Sequence, residues 1–137
     1  MRESYVYGRT RPLASLSERW VGQLLDSLVA IAAVLVSAIP YVFSQTLGAV
    51  CLLIGVFFAL LYTLLADGLR KGQSYGKRIM KTAVIDASSG QPCTFGKSFL
   101  RNLLLALLGF IDWVFIFGAK RQRLGDKAAN TIVVKYP

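Results

Sequence analysis

The chain contains a long stretch without any formal charge. From Ser27 to Ala66, 40 consecutive residues include no Asp, Glu, Lys or Arg. A bilayer core is crossed by roughly 20 helical residues, so this stretch is long enough for most of two spans. Pro40 divides it, and the aromatic-rich residues 41–45 are typical of a turn at the membrane interface. The pattern predicts helices over residues 20–39 and 47–66, joined as an antiparallel hairpin.

A cleaved signal peptide is the alternative interpretation of the first apolar segment. Residues 36–38 (VSA) resemble a small-residue cleavage site. Asp26, however, interrupts the apolar stretch, whereas the core of a signal peptide is continuously apolar. We therefore interpret the segment as a membrane span.

A third apolar segment, residues 103–117, is shorter than the first two. It includes Gly109 and Asp112, and extending it back to Ser98 would bury Arg101. Apolar segments too short to span are typically interfacial or re-entrant. A full crossing is the alternative, but we favour a segment that is re-entrant or interfacial.

The basic residues are concentrated in three regions. Residues 1–19 contain four, residues 67–101 contain seven and residues 120–137 contain five, whereas the turn at residues 40–46 contains none. Lys and Arg accumulate in the cytoplasmic flanks of membrane spans. The distribution predicts a cytoplasmic N-terminus, and a re-entrant third segment would keep every basic residue on that side.

Two β-branched runs lie within these basic regions, at residues 82–86 (TAVID) and 131–135 (TIVVK). Each alone would leave exposed edges, so we expect the two to pair on one side of the membrane. The alternative is that each run is an extended loop. Residues 71–81 alternate basic and apolar side chains, which predicts a short helix at the surface of an anionic leaflet. Nucleic-acid binding is the alternative for such a patch, and we discount it in a chain this apolar.

The composition narrows the classes of function. Of 137 residues, 55% are hydrophobic and only 17% are charged, with a net charge of +9 and no His. A chain without His lacks the commonest general base and the commonest metal ligand. Cys51 and Cys93 fit no metal or redox motif, and no phosphate-binding loop is present. We therefore expect a single-domain membrane protein that is not an enzyme and has neither a metal site nor a cofactor.

Asp26 is the most informative polar residue because it lies inside the first predicted span. A charge at the centre of a span costs about 2.5–3.5 kcal/mol, so it needs a partner. Two interpretations stay open: a cation or proton site, or a buried ion pair that fixes helix packing. Arg19, seven residues earlier on the same helix face, is one candidate partner. Asp112 is the second ion or proton candidate, because a re-entrant third segment could bring it to Asp26; in an interfacial segment it would be solvated.

Each of the two long helices carries one face of small residues. Such faces mark where helices approach closely in lipid, so we expect the two faces to meet with Asp26 in the seam. Two or three helices bury too little to enclose a path for a solute, so transport favours a homo-oligomer. The alternative is a monomer, if the small faces are used within the hairpin. The faces are Gly22, Asp26, Ala30, Ala33 and Ser37 on the first helix, and Gly48, Gly55, Ala59, Tyr62 and Ala66 on the second.

Several short motifs occur together in one order along the chain. Arg19 is followed by Asp26, then by residues 72–78 (GQSYGKR), by Arg101-Asn102 and by residues 121–134 (RQRLGDKAANTIVV). This order and spacing resemble the RDD family of bacterial integral membrane proteins, which is named for one Arg and two Asp.

The resemblance extends over about residues 13–135. It implies that the naming residues are Arg19, Asp26 and Asp126, and that Asn130 stands where the family often has Gly. It also implies a bacterial inner-membrane protein. The molecular role of the family is largely undefined; transport of unknown ligands is suggested, and some relatives are linked to sodium/proton exchange.

Five basic residues are candidates for cytoplasmic salt bridges or for contacts with anionic lipid headgroups: Lys77, Arg78, Arg101, Arg121 and Arg123. Asp126 could pair with Arg123, Arg78 or Arg19, and such a pair would fix the cytoplasmic layer beneath the helices. A solvated surface cluster is the alternative.

The sequence as a whole predicts an all-α membrane protein. It consists of an antiparallel transmembrane hairpin, a third short apolar segment and a small cytoplasmic β pairing. The predicted function is transport of a small cation, sodium or a proton, through an intramembrane carboxylate. The alternative is a structural or assembly partner within a larger membrane complex.

Overall fold

The computed structural model describes residues 3–6 and 9–136. Two long apolar helices dominate it, and the segments Leu16–Val42 and Gln45–Gly68 are each long and apolar enough to cross a membrane. The elements, in chain order, are β1 (Glu3–Val6), β2 (Arg9–Pro12), α1 (Leu16–Ala38), a 3₁₀ turn (Ile39–Val42), α2 (Gln45–Leu65), 3₁₀ turns (Ala66–Gly68 and Arg70–Gly72), α3 (Tyr75–Ile79), β3 (Thr82–Asp86), α4 (Phe95–Leu108), α5 (Phe110–Val114), a 3₁₀ turn (Phe115–Phe117), α6 (Leu124–Ala128) and β4 (Thr131–Lys135).

Polar caps set the beginnings of both long helices. The backbone N–H of Glu18 donates to Ser15 Oγ, and the backbone N–H of Ser15 donates to Glu18 Oε2, which forms a capping box at the start of α1. Ser44 caps α2 by accepting from the backbone N–H of Leu47. The sequence predicts helix starts at residues 20 and 47, four and two residues after the observed starts. The apolar pattern locates the membrane segment, whereas the polar caps determine where each helix begins.

The two helices form the predicted antiparallel hairpin and approach closely at small residues. A Cβ on Gly55 would lie 2.1 Å from Ser37 Oγ, and a Cβ on Gly48 would lie 2.4 Å from Tyr41 Cγ. Gly22 differs, because it faces Gly76 of α3. The small face of α1 therefore packs against α2 near the interhelical turn. Near the start of α1, the same face packs against α3.

The third apolar segment is a bent pair of helices. α4 and α5 meet at Gly109 with a bend of 112°, and the φ of Gly109 is +52°, a conformation that favours glycine. Helix α4 begins at Phe95, eight residues before the predicted start of the apolar segment. The difference arises because its buried face is polar (Ser98, Arg101 and Asn102) and therefore carries no apolar signal.

Strands β3 and β4 pair antiparallel as predicted, with Val84 opposite Val133. The beginning of α1 is attached to this sheet, because the backbone N–H of Ala14 donates to the carbonyl of Val133 at 3.0 Å and Leu13 bridges to Val134. Strand β3 precedes α4 and β4 follows α5. Both ends of the bent segment are therefore joined to one layer, next to the beginning of α1.

The basic segment 71–81 contains the predicted short helix, α3, preceded by a 3₁₀ turn at Arg70–Gly72. The hairpin of β1 and β2, with Glu3 opposite Pro12, is not predicted from the sequence. Its residues are mainly polar and show no alternation of apolar side chains, so the sequence gives no strand signal there.

Candidate functional site

Four carboxylates and four basic side chains are buried together where α1 begins and α2 ends. Each residue is at most 8% exposed, and the formal charges of the eight cancel. Burying a charge costs several kcal/mol unless it is paired, so these residues depend on one another. We call this set the charge network: Asp26, Asp67, Asp112, Asp126, Arg19, Lys77, Arg101 and Arg123.

Arg101 is the centre of the charge network. From α4, its Nη1 lies 2.7 Å from Asp67 Oδ2 and its Nη2 lies 2.6 Å from Asp126 Oδ1. Asp67 belongs to the turn that ends α2, and Asp126 belongs to α6. A planar guanidinium can donate to two carboxylates at once in a fixed geometry. An ammonium has no such fixed donor geometry. Arg101 therefore connects three parts of the chain.

Asp126 also receives a second guanidinium. Arg19 Nη2 of α1 lies 2.5 Å from Asp126 Oδ2, and the backbone N–H of Arg123 donates to the same oxygen at 3.2 Å. Burial opposes ionisation of this carboxyl, but Arg101, Arg19 and Arg123 together hold its pKa below the usual value. Asp126 is therefore a permanent anion at neutral pH and a structural member of the network.

Asp112 is placed beside Arg123. Its Oδ1 accepts from the backbone N–H of Gly125 at 2.7 Å, and its Oδ2 lies 3.6 Å from Arg123 Nε. The guanidinium of Arg123 also lies over the Trp113 ring, 5.2 Å from its centroid. Burial, reinforced by Arg101, lowers the pKa of Arg123 to about 10, so it is still a cation at neutral pH. The contacts described for Asp112 do not include Asp26, so these two ion candidates have separate partners.

Asp26 is held mainly by neutral donors. Tyr62 donates its hydroxyl to Asp26 Oδ1 at 2.7 Å, Ser74 donates to Oδ2 at 2.5 Å, and the backbone N–H of Gly76 donates to Oδ1 at 2.9 Å. The nearest cation is Lys77, whose Nζ lies 3.9 Å from Asp26 Oδ2 but 2.6 Å from Asp67 Oδ1. Lys77 thus pairs primarily with Asp67, and Asp26 is the carboxylate of the network whose nearest cation is farthest away.

A small cavity lies between Asp26 and Asp67. Its volume is about 20 Å³, which is room for one water molecule or one ion of similar size. Most of the side chains around it carry oxygen or nitrogen. We call it the Asp26 cavity, and it is lined by Gln23, Asp26, Ser27, Tyr62, Thr63, Ala66, Asp67, Lys77 and Asn102.

The structure separates the predicted basic candidates into two groups. Lys77, Arg101 and Arg123 are buried in the charge network. Arg121 is partly exposed, and its Nη1 donates to the carbonyl of Ala14 at 2.9 Å. The side chain of Arg78 is exposed.

The naming residues suggested by the resemblance are brought together only in part. Arg19 pairs with Asp126, whereas Asp26 lies with Lys77 and α3. Sequence reasoning does not single out Tyr62, Ser74 or Lys77 as partners of Asp26. Ser74, Gly76 and Lys77 all belong to residues 72–78 (GQSYGKR). This segment is more polar than an interfacial helix would be, and that polarity is the sequence signal for the partners of Asp26.

The described residues contain no group of three or more Cys, Asp or Glu side chains that could hold a metal ion. The Asp26 cavity offers two carboxylates, Asp26 and Asp67, together with the Lys77 ammonium and with hydroxyl and amide neighbours.

Two apolar helices and a buried charge network beside them define an integral membrane protein. The RDD family profile matches residues 13–130, most of the chain, and the chain belongs to the RDD family. It is 39% identical over 67 residues to the proline-rich antigen homolog of Mycobacterium tuberculosis, a match that covers 46% of this chain and 28% of that protein. It is 40% identical over 65 residues to the proline-rich antigen of Mycobacterium leprae, covering 44% of this chain and 26% of that one.

This chain therefore spans less than a third of the length of the curated relatives it matches. No solved structure is significantly similar to it.

Proposed function

We propose that this protein binds a small monovalent cation or a proton at Asp26 and exchanges it across the bacterial inner membrane. The observation that carries the proposal is the Asp26 cavity, in which an intramembrane carboxylate lies next to a space of one water molecule. An ionisable side chain within a span is a functional candidate because its placement there is costly. Asp126 pairs with the guanidinium groups of Arg19 and Arg101. The cation nearest to Asp26 is instead the ammonium of Lys77.

Lys77 supplies a means of exchange. Its ammonium is anchored to Asp67 at 2.6 Å and is 3.9 Å from Asp26, so it neutralises Asp26 only in part. A sodium ion in the cavity would be coordinated by the Asp26 carboxylate and by nearby hydroxyl oxygens, because hard cations prefer oxygen ligands. A proton on Asp26 would neutralise the same charge. Cation and proton therefore compete for one carboxylate, which is the requirement for exchange.

A single hairpin does not enclose a path between the two sides of a membrane. Large apolar side chains such as Leu35 and Phe58 are more than 60% exposed along α1 and α2. We expect these faces to contact lipid and further copies of the chain, so that a homo-oligomer completes the path.

Flux measurements test the proposal. Purified protein is reconstituted in proteoliposomes, and proton flux is followed while sodium, lithium or potassium gradients are applied. We expect cation-dependent proton flux with the native chain and its loss in Asp26→Asn. Glu18→Gln is the matched control, because Gln removes one carboxylate charge at the start of α1 but preserves the capping box.

The result that would contradict transport is absence of flux above empty liposomes for a native chain that elutes as a single species. A second function is favoured in that case by the buried pairs of Asp67 and Asp126 with Arg101, which connect the end of α2, α4 and α6. The protein would then be a structural partner in a larger membrane complex, and Asp26→Asn would lower thermal stability in detergent.

The proposal places the layer of β3 and β4 on the cytoplasmic side of the membrane, because the regions rich in Lys and Arg adjoin it. Since both ends of the bent segment join that layer, the two termini are expected on the same side. A fluorescent protein that matures only in the cytoplasm should therefore fluoresce when it is fused to either terminus. Fluorescence from only one of the two fusions would contradict this arrangement.

A further inference from the structure

A basic groove lies on the layer beside α3. Its volume is about 420 Å³, far more than the Asp26 cavity. Four of its six lining residues are basic and none is acidic. We call it the basic groove, and it is lined by Arg70, Lys71, Gln73, Arg78, Lys81 and Tyr136.

The four basic side chains of the groove have no carboxylate partner within the described part of the chain. Lys71 Nζ lies over the Tyr136 ring at 5.6 Å from its centroid, and the Arg78 guanidinium lies over Tyr75 at the same distance. All four are exposed, whereas each basic residue of the charge network has an acidic partner. Unpaired like charges around one groove repel one another, and a bound anion would relieve that repulsion.

The position of the groove favours a ligand at the membrane surface. Arg70 follows the second apolar span, which ends at Gly68, by only two residues. On α3, Tyr75 and Ile79 are 56% and 67% exposed. Exposed aromatic and aliphatic side chains beside basic ones are typical of elements that lie at the headgroup level.

The backbone fixes two of the lysines at the groove. The φ angles of Lys71 and Lys81 are +64° and +51°, in the left-handed region that non-glycine residues seldom adopt. The carbonyl of Lys81 accepts from the backbone N–H of Tyr136 at 2.7 Å, which ties this turn to the end of β4. The two lysines are thus held at the groove by turns rather than displayed on a flexible arm.

We propose that the basic groove binds the phosphates of an anionic lipid headgroup, two at a time. Arg and Lys both recognise phosphate oxygens, Arg through a planar fork and Lys as a point charge. One phosphodiester carries a single negative charge and fills only part of the groove. A headgroup with two phosphates matches the four basic residues better in both charge and size. The groove is separate from the Asp26 cavity, so lipid binding there requires no transport activity.

The test measures thermal unfolding of the purified chain in a neutral detergent with added lipids. Cardiolipin supplies two phosphates, phosphatidylglycerol supplies one, and the two are compared at equal phosphate concentration. We expect a larger rise of the melting temperature with cardiolipin. The apparent affinity should fall about tenfold or more in the double variant Lys71→Asn/Lys81→Asn, since each basic residue near anionic lipid contributes measurably. Asn tolerates a positive φ, so this variant removes charge without adding strain.

Lys120→Asn/Lys127→Asn is the matched control, because both lysines are exposed and lie outside the groove. It should bind cardiolipin as the native chain does. Equal loss of affinity in both double variants would overturn the proposal in favour of general attraction to net charge. Inorganic pyrophosphate is tested as a soluble ligand that also carries two phosphates. Stabilisation by pyrophosphate with no response to cardiolipin would overturn the assignment to a lipid. Equal responses to the two lipids would overturn the two-phosphate preference.

Discussion

Replacing Arg101 by methionine is expected to destabilise the protein by about 3–5 kcal/mol, the cost of removing one partner from a buried ion pair. Arg101 is fully buried and donates to Asp67 and Asp126 through separate nitrogens. Methionine keeps much of the apolar volume but leaves both carboxylates with one cation fewer. The effect should appear as a large fall in the melting temperature in detergent, or as loss of a single species in size exclusion.

Two further variants separate charge from geometry. Arg101→Lys keeps the positive charge but cannot reproduce the two-sided contact, so we expect an intermediate loss. Arg78→Met removes an exposed arginine of α3 and should change stability by no more than about 0.5 kcal/mol. Equal melting temperatures for Arg101→Met and Arg78→Met would show that the charge network does not support the fold.

The second large effect is expected for Gly76→Ala. A Cβ on Gly76 would lie 2.1 Å from the carbonyl oxygen of Gly22 and 3.0 Å from Asp26 Cγ. The nearest atom belongs to the backbone of α1 and cannot rotate away, so α3 must move. Overpacking of this kind costs about 1–3 kcal/mol, and the hydrogen bond from Gly76 to Asp26 would weaken as well.

Gly96→Ala is the matched control. It lies in α4, and no heavy atom lies within 4 Å of its added Cβ. The same chemical change should there stabilise the helix by up to about 1 kcal/mol. Thermal unfolding of the two variants should therefore shift in opposite directions. A fall of similar size in both would contradict the close approach of α3 to α1.

The membrane architecture could be predicted because it follows from apolar length and charge distribution. The uncharged stretch around Pro40 predicts the hairpin, and the two β-branched runs predict the pairing of β3 with β4, which the structure confirms. Family membership could also be predicted from the order of the motifs, and the match over residues 13–130 confirms it.

The sequence names Arg19 and Arg123 among the candidate partners of Asp126, and the structure forms both contacts. The other pairs of the charge network could not be predicted, for a physical reason. Asp26 and Ser74 are 48 positions apart, and Arg101 and Asp67 are 34 apart. Such pairing depends on how later segments return to the helical hairpin. Periodicity describes a single helix and carries no information about such returns. Arg101 gave a partial signal, since extending the third segment would bury it, and the structure buries it among carboxylates.

Equilibrium binding of radioactive sodium to the purified chain tests the role of the Asp26 cavity most directly. Lys77 is the resident positive charge between Asp67 and Asp26, so Lys77→Gln should bind sodium more tightly than the native chain. Asp26→Asn should abolish binding, and Glu18→Gln should leave it unchanged. Opposite shifts in Lys77→Gln and Asp26→Asn are the result that the account predicts. Sodium binding that is unaffected by Asp26→Asn would contradict it.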